Sequence, residues 1–329
     1  MRFDYLKSNS KFMKTTKNVI YLLIIFVTVS CTKDNLESVE NTRNQNSSAF
    51  SIIVNHDKVL VSGYVNTDSE FRTKYWIDSL NTDSATFISS LDNGITYKKA
   101  IDELYRKVSV HKTLNGENDV YKFDQGSFID DGKIFYYKNN KIVRMDTSAT
   151  GTIASVCFLN DKPFFAGYFS EKGYSEAGET LVPKTPFFWD GNSILINLPL
   201  PDDTFFKGIS CVYVDEEDYY TGGLMNVPMY WKNTELITLS TLYGEVHQII
   251  VSESDVYAVG FYNKSNSNST GHTACFWKNG ELFELEDNAQ GYGIYIDGND
   301  VYISGSTGYV PSQYKACYWK NGFRVNLPN

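Results

Sequence analysis

One phrase recurs along the chain and constrains its fold more than any other feature: an aromatic residue, Trp, Lys, Asn and Gly, then a short apolar strand ending in Leu. Full copies are Phe276-Trp277-Lys278-Asn279-Gly280 and Tyr318-Trp319-Lys320-Asn321-Gly322. Degenerate copies are Tyr230-Trp231-Lys232-Asn233, Phe188-Trp189-Asp190-Gly191, Tyr136-Tyr137-Lys138-Asn139-Asn140 and Tyr75-Trp76-Ile77-Asp78. A second marker is a polar turn followed by a strand that closes on Gly, at Gly63, Gly167, Gly222, Gly260 and Gly305. A sixth copy, Glu103 to Val108, lacks the Gly. Together the markers divide residues 49–329 into six units of about 47 residues. Repetition at this period signals a solenoid, a propeller or an array.

Each unit reads as four short strands. In the last they fall near Gly293–Ile296, Val301–Ser304, Lys315–Trp319 and Phe323–Leu327, where apolar and polar residues alternate. Asn-Gly at 279–280 and 321–322 supplies two residues tolerant of positive φ, as a type I′ hairpin requires. Abundant Tyr (24) and Phe (21) with scarce Pro (8) also favour sheet. Four strands per unit predict an all-β, six-bladed β-propeller over 49–329. A lone blade cannot bury both faces, so the repeated Trp is expected to wedge between neighbours. The second unit has a rival reading, because Tyr97, Ile101, Leu104, Tyr105 and Val108 also fit an amphipathic helix over 96–108. Strands are expected there, since Gly63 to Val108 spans the same distance as Gly260 to Gly305. The phrase resembles the repeats of bacterial extracellular propeller-like proteins that carry an aromatic-Trp-x-Asn-Gly motif in each copy. The resemblance is close in the last two units and weak in the second; it implies fold, not activity.

The N-terminus reads as an address. Val19–Val29 is an apolar run preceded by Lys11, Lys14 and Lys17. It falls short of the roughly 20 residues that a spanning helix needs and fits a signal peptide over 1–30. Thr28-Val29-Ser30-Cys31 resembles the lipobox of bacterial lipoproteins, with Thr28 where Leu is usual. The resemblance implies that Cys31 is diacylated (palmitate being one acyl chain) and becomes the mature N-terminus, anchored in the outer membrane. A plain signal peptide with an incidental Cys is the alternative. Met13 would give a more compact signal peptide than Met1. Thr32-Lys33-Asp34 with Glu37 resembles the tract after the lipid-bearing Cys in surface-exported lipoproteins of Bacteroidetes. Residues 31–48 read as a polar tether.

The formal net charge is −9, and most of the basic leader lies outside the repeats, so nucleic acid is excluded as a partner. A monomer is expected, bound to the membrane through Cys31 and to an unknown glycan or protein ligand. Three long connections between second and third strands, at about 111–132, 169–186 and 262–273, are expected on one face. Phe205, Phe206, Tyr243, His247 and Tyr292 add aromatics and a His to its rim. These form the candidate binding set, although the plainer reading, which the residues favour, is that they simply cap the inter-blade core.

No catalytic residue, cofactor or metal ligand is assigned. His56, His111, His247 and His272 lack metal-ligand spacing. Cys157, Cys211, Cys275 and Cys317 are too scattered for zinc. Cys275 and Cys317 occupy equivalent places, as buried small residues or as a bridged pair. Nucleophile-elbow and phosphate-loop signatures are missing, as is the sialidase Asp-box. Asp215–Asp218 reads as a solvated turn rather than a Ca²⁺ site. Lys98, Lys99, Arg106, Lys107 and Lys112 form a basic cluster. Asp78-Ser79-Leu80 and Asp83-Ser84-Ala85 resemble the short O-glycosylation motif of Bacteroidetes. The expected function is a binding module. A glycan-active hydrolase or lyase and a structural envelope component are the alternatives.

Overall fold

The computed structural model describes residues 46–67, 70–90, 95–98, 107–114, 117–124, 134–145, 150–160, 162–175, 178–191, 194–202, 205–266 and 271–329. The expected signal peptide, Cys31, the expected tether as far as residue 45 and the centre of the basic cluster lie outside them. The repeats form a six-bladed β-propeller of antiparallel sheets. Blade 1 is β1 (Asn46–Asn55), β2 (Lys58–Thr67), β3 (Glu70–Ile77) and β4 (Leu80–Thr82), followed by helix α1 (Ser84–Ser89). Blade 2 is β5 (Ile95–Lys98), β6 (Lys107–Leu114), β7 (Glu117–Asp124), β8 (Phe135–Lys138) and β9 (Lys141–Arg144). Blade 3 is β10 (Gly151–Leu159), β11 (Lys162–Ser175), β12 (Gly178–Trp189) and β13 (Leu195–Asn197). Blade 4 is β14 (Phe206–Val214), β15 (Tyr219–Met225), β16 (Met229–Lys232) and β17 (Glu235–Thr238). Blade 5 is β18 (Gly244–Ser252), β19 (Asp255–Tyr262), β20 (Thr273–Lys278) and β21 (Glu281–Asp287). Blade 6 is β22 (Ala289–Asp297), β23 (Asp300–Thr307), β24 (Lys315–Lys320) and β25 (Phe323–Asn326). Each sheet is one contiguous stretch of chain, and β1 begins three residues inside the expected tether.

The Trp wedge is real. Trp76, Trp231, Trp277 and Trp319 are fully buried. Each packs into residues of the preceding blade: Trp231 against Ala154, Ala166 and Phe188, Trp319 against Tyr257 and Val259. Indole N–H groups reach the end of that preceding blade, Trp231 donating to the Pro199 carbonyl at 2.7 Å and Trp319 to Glu286 at 3.2 Å. Trp76 closes the ring by donating to the Pro328 carbonyl at 2.8 Å, and Ser47 N–H donates to Tyr314 O beside it. Cys275 and Cys317 are free and sit in two different inter-blade cores, which removes the bridge between them.

The hairpin turns have the expected backbone. Asn279 and Gly280 have φ of 51° and 85°, Asn321 and Gly322 of 51° and 80°. The Asn also locks a corner. In blade 5 its amide donates to Asp255 at 2.7 Å and its oxygen accepts from Val256 N–H at 2.9 Å. Lys278 pairs with the same Asp255 at 2.7 Å and lies over the Tyr257 ring. Blades 2, 4 and 6 repeat this clamp with Asp119, Asp218 and Asp300. Blade 3 reverses it, Lys162 on the second strand meeting Asp190 after the Trp at 3.2 Å.

The marker Gly also acquires a physical reason. In every four-stranded blade the first strand carries a β-bulge opposite it. The bulged backbone then presses on the second strand. A Cβ on Gly63 would lie 2.0 Å from Ser48 O, and one on Gly260 1.9 Å from Glu245 O.

Three expectations need correction. The second strand of the second unit is not 103–108. Residues 107–114 and 117–124 form consecutive strands, and Tyr121 pairs with Lys138 as Tyr220 pairs with Lys232. The sequence signal was Asn118-Asp119-Val120-Tyr121, identical to Asn299–Tyr302. Residues 95–98 and 107–108 are extended as expected; 99–106 lie outside the described residues. Blade 2 therefore has a fifth strand, β5, which pairs with β6 and lies against β1. Segment 111–132 begins inside the β6–β7 hairpin, and 169–186 is no loop: β11 and β12 stay paired out to Ser175 and Gly178. The backbone pairing carries both strands on past the marker Gly, a continuation that length alone could not reveal. Asp215–Asp218 is the expected turn, with Asp215 accepting from Glu217 N–H and Asp218 N–H.

Candidate functional site

In this topology the first-to-second and third-to-fourth turns share one face, and the remaining connections share the other. The bulges lie near the second face. They place Phe50, Ala154, Ser210, His247 and Tyr292 at equivalent positions in blades 1, 3, 4, 5 and 6. The next residue reaches across to the following blade. Ser155 accepts from Val212 N–H at 3.1 Å, Gln248 accepts from Ile294 N–H at 2.7 Å, and Cys211 is hydrogen-bonded by the Ile249 backbone. This girdle gives first strands, whose inner edges lack a ladder partner, a donor–acceptor link between blades. Toward the short-turn face the axis widens into a cavity of about 480 Å³, lined by residues such as Ile53, Tyr213, Ile250 and Tyr295.

On the opposite face the bulge residues of blades 1, 6 and 5 form a run of rings. Tyr64 stacks on Phe50 at 5.3 Å between centroids; Phe50 meets Tyr292 at 4.9 Å, and Tyr292 stacks on His247 at 5.0 Å. The run continues through Phe261, 5.5 Å from His247, to His272, stacked on Phe261 at 4.1 Å. Tyr243 ends it, 6.2 Å from His272.

Polar groups are threaded through these rings. Glu245 accepts from Lys207 at 2.7 Å and lies 3.5 Å from His247 Nε2, while His247 Nδ1 donates to Gly291 O at 2.7 Å. Burial alone would raise the Glu245 carboxyl, but His247 and Lys207 outweigh it and hold it at about 2. Lys207 also contacts the Tyr243 hydroxyl at 3.2 Å. Tyr292 O–H donates to Gln290 Oε1 at 2.9 Å. The Gln290 amide then donates to His272 Nδ1 at 2.6 Å and to Tyr314 Oη at 2.9 Å. Burial drives the Tyr292 and Tyr314 phenols up and the His272 imidazole down. Glu245 is the single carboxylate among the described residues that join this network, whereas glycoside hydrolysis by the usual route needs a pair.

Of the residues expected from sequence, Tyr243, His247 and Tyr292 come together here. Phe206 does not; it is buried against Trp231 and Tyr168 as core. Phe205 is exposed beside it and joins no ring contact among the described residues. Lys207, Glu245, His272, Gln290, Phe50, Tyr64 and Tyr314 were missed. A usable signal existed for Phe50, which lies thirteen residues before its marker Gly, as His247 and Tyr292 do. No group of metal-ligating side chains occurs among the described residues.

No family model matches the chain, and no curated protein matches it significantly. Among solved structures it is similar to the β-propeller domain of the Trilobed protease from Pyrococcus furiosus, described as having an open velcro topology, at 9% identity and TM-score 0.41, covering 86% of this chain and 96% of that one. It is also similar to the acylaminoacyl peptidase of Pyrococcus horikoshii, at 11% identity and TM-score 0.42, covering 86% of this chain and 52% of that one. A third similarity is to the RS223 β-xylosidase, at 10% identity and TM-score 0.31, covering 84% of this chain and 92% of that one. The chain thus spans about half of the peptidase, and at these scores the comparisons carry no argument about this chain.

Proposed function

We propose that this chain is a lipid-anchored propeller of the cell envelope whose work is binding, and that a glycan is its ligand. The observation that carries this reading is the ring run Phe50–Tyr292–His247, held half-buried at equivalent bulges and interleaved with Glu245, Lys207 and Gln290. A sugar presents apolar C–H faces and a rim of hydroxyls. Aromatic surfaces beside fixed planar donors and acceptors match both. The rigid blades hold these groups without a folding cost at binding.

A glycan array probed with the detergent-solubilised full chain tests the ligand class. Phe50→Ala and His247→Ala should each weaken the captured glycan about tenfold, the effect of roughly 1.4 kcal/mol, with melting curves verifying the fold. Binding that survives both changes moves the site elsewhere. Anchoring rests on Cys31 after its lipobox-like tract. Metabolic labelling with a fatty acid should mark the protein and not Cys31→Ala, which should leave the membrane fraction; a labelled or membrane-held variant refutes the anchor.

A further inference from the structure

The axial cavity of about 480 Å³ opens toward the short turns, on the side away from the ring run, and the glycan reading makes no use of it. Its size is that of a small-molecule site, about 300–1,000 Å³. Four first strands bring equivalent residues to its wall: Ile53 of β1, Tyr213 of β14, Ile250 of β18 and Tyr295 of β22. Each is the third residue after its blade's bulge position. Tyr213 is pinned, its hydroxyl donating to Val251 O of blade 5 at 3.0 Å. Asn55, Gln248 and Ser252 add neutral polar groups, and no charged side chain stands among the described lining residues.

The charge lies at the rim. Two residues beyond the wall position each first strand reaches its turn, and there Asn55 and Ser252 still line the cavity. The equivalent residues of blades 4 and 6 are Asp215 and Asp297. Both blades thus carry one pattern, Tyr213-Val214-Asp215 and Tyr295-Ile296-Asp297, on either side of blade 5. Burial raises both phenols, and the Asp of the same strand adds to the rise. Each carboxylate therefore lies within electrostatic reach of its ring. Glu216, Glu217 and Glu253 stand exposed in the turns that follow. The corner lysines neutralise Asp218, Asp255 and Asp300. Asp215, Asp297 and the turn glutamates have no ion-pair partner among the described residues. In blade 1 the turn carries both signs, Asp57 and Lys58.

We propose that the axial cavity binds a small organic cation, an amine whose apolar body lies against Ile53, Ile250, Tyr213 and Tyr295 and whose ammonium stays at the acidic rim. The division follows from the cost of burying charge. An alkyl body gains by leaving water, while the ammonium keeps its hydration beside carboxylates and Tyr rings that attract it. A fatty acid of the same shape would bring its charge against like charge. A bare metal ion suits the place poorly, since no group of metal-ligating side chains occurs among the described residues. The proposal is independent of the glycan reading, which concerns the opposite face.

Calorimetric titration of the full chain with hexylamine, 1-hexanol and hexanoate, probes that share one alkyl chain, is the test. Hexylamine should bind about tenfold tighter than hexanol, and hexanoate should not bind. Added salt should weaken the amine and leave the alcohol unchanged. Asp297→Asn keeps the size of the turn and removes one charge; it should weaken hexylamine roughly threefold without touching hexanol. Ile250→Trp fills the axis and should abolish binding of both, and Asp297→Asn decides if that variant does not fold. Equal affinities for amine and alcohol overturn the proposal. So does an amine affinity that neither variant changes, because the amine then sits elsewhere on the acidic surface. No binding of hexylamine also overturns it, and leaves the glycan reading standing.

Discussion

The outer corner of each blade and its inner bulge are equally regular in backbone, yet they differ in what the repeat does with them. At the corner the same side chains return: Asp, Lys and Asn close the clamp in blades 2, 4, 5 and 6, and blade 3 merely swaps the signs. At the bulge the backbone returns and the side chain does not. Blades 3 and 4 place Ala154 and Ser210 there, whereas blades 5, 6 and 1 place His247, Tyr292 and Phe50. A position that repeats in chemistry is serving the blade. A position that repeats only in geometry is free to be used by one arc of the ring, and that arc carries the site.

The contrast is sharpest if framework and arc respond differently to substitution. Trp231→Ala empties an inter-blade core and removes an indole hydrogen bond. It should cost about 3–5 kcal/mol, read as a shifted denaturant midpoint; a loss under 1 kcal/mol would mean that the wedge does not hold the ring. Glu245 lies on the arc and should act through pH. Its folded carboxyl is held at about 2 against an ordinary 4.5, so its stabilisation is present above the unfolded value and is lost as pH falls from about 4.5 toward 2. Glu245→Gln should flatten that acid-side loss by on the order of 1–3 kcal/mol, measured by chemical denaturation at stepped pH. An unchanged profile would show that Lys207 and His247 do not charge-stabilise it. Lys278→Ala at the half-exposed corner should cost least, a small shift of the denaturant midpoint that shrinks further in high salt. A cost rivalling that of Trp231 would make the clamp, not the wedge, the framework.

Much of the architecture could be read from residues alone because it is written locally. Asn-Gly needs only its own φ angles, and the marker Gly needs only the strand beside it. The six blades follow from these. Blade 2 escaped because its second strand was sought at a Gly that the blade lacks, while Asn118–Tyr121 stood in plain repetition of Asn299–Tyr302. The β11–β12 arm escaped because a polar sequence carrying Gly173 and Gly178 suits a loop and a hairpin alike. The site was half visible. Tyr243, His247 and Tyr292 stand out as aromatics leading into first strands. Glu245, Gln290 and His272 acquire meaning only when blades 5 and 6 meet, since their partners lie on other strands, and Phe206 has the same local appearance as the rim residues yet turns into the core.

The seam between blades 1 and 6 is held by side-by-side packing and a few bonds such as Trp76 to Pro328, with no strand exchanged across it among the described residues. Every sheet is spelled by one uninterrupted run, so the seam is one boundary among six rather than a privileged clasp. Circular permutation that moves the termini to the junction of blades 4 and 5, with a short linker bridging the old ends, would sever a loop but no ladder. By the same logic evolution can duplicate, delete or retune a blade as a cassette, which is how one arc could be re-equipped while its neighbours stayed plain.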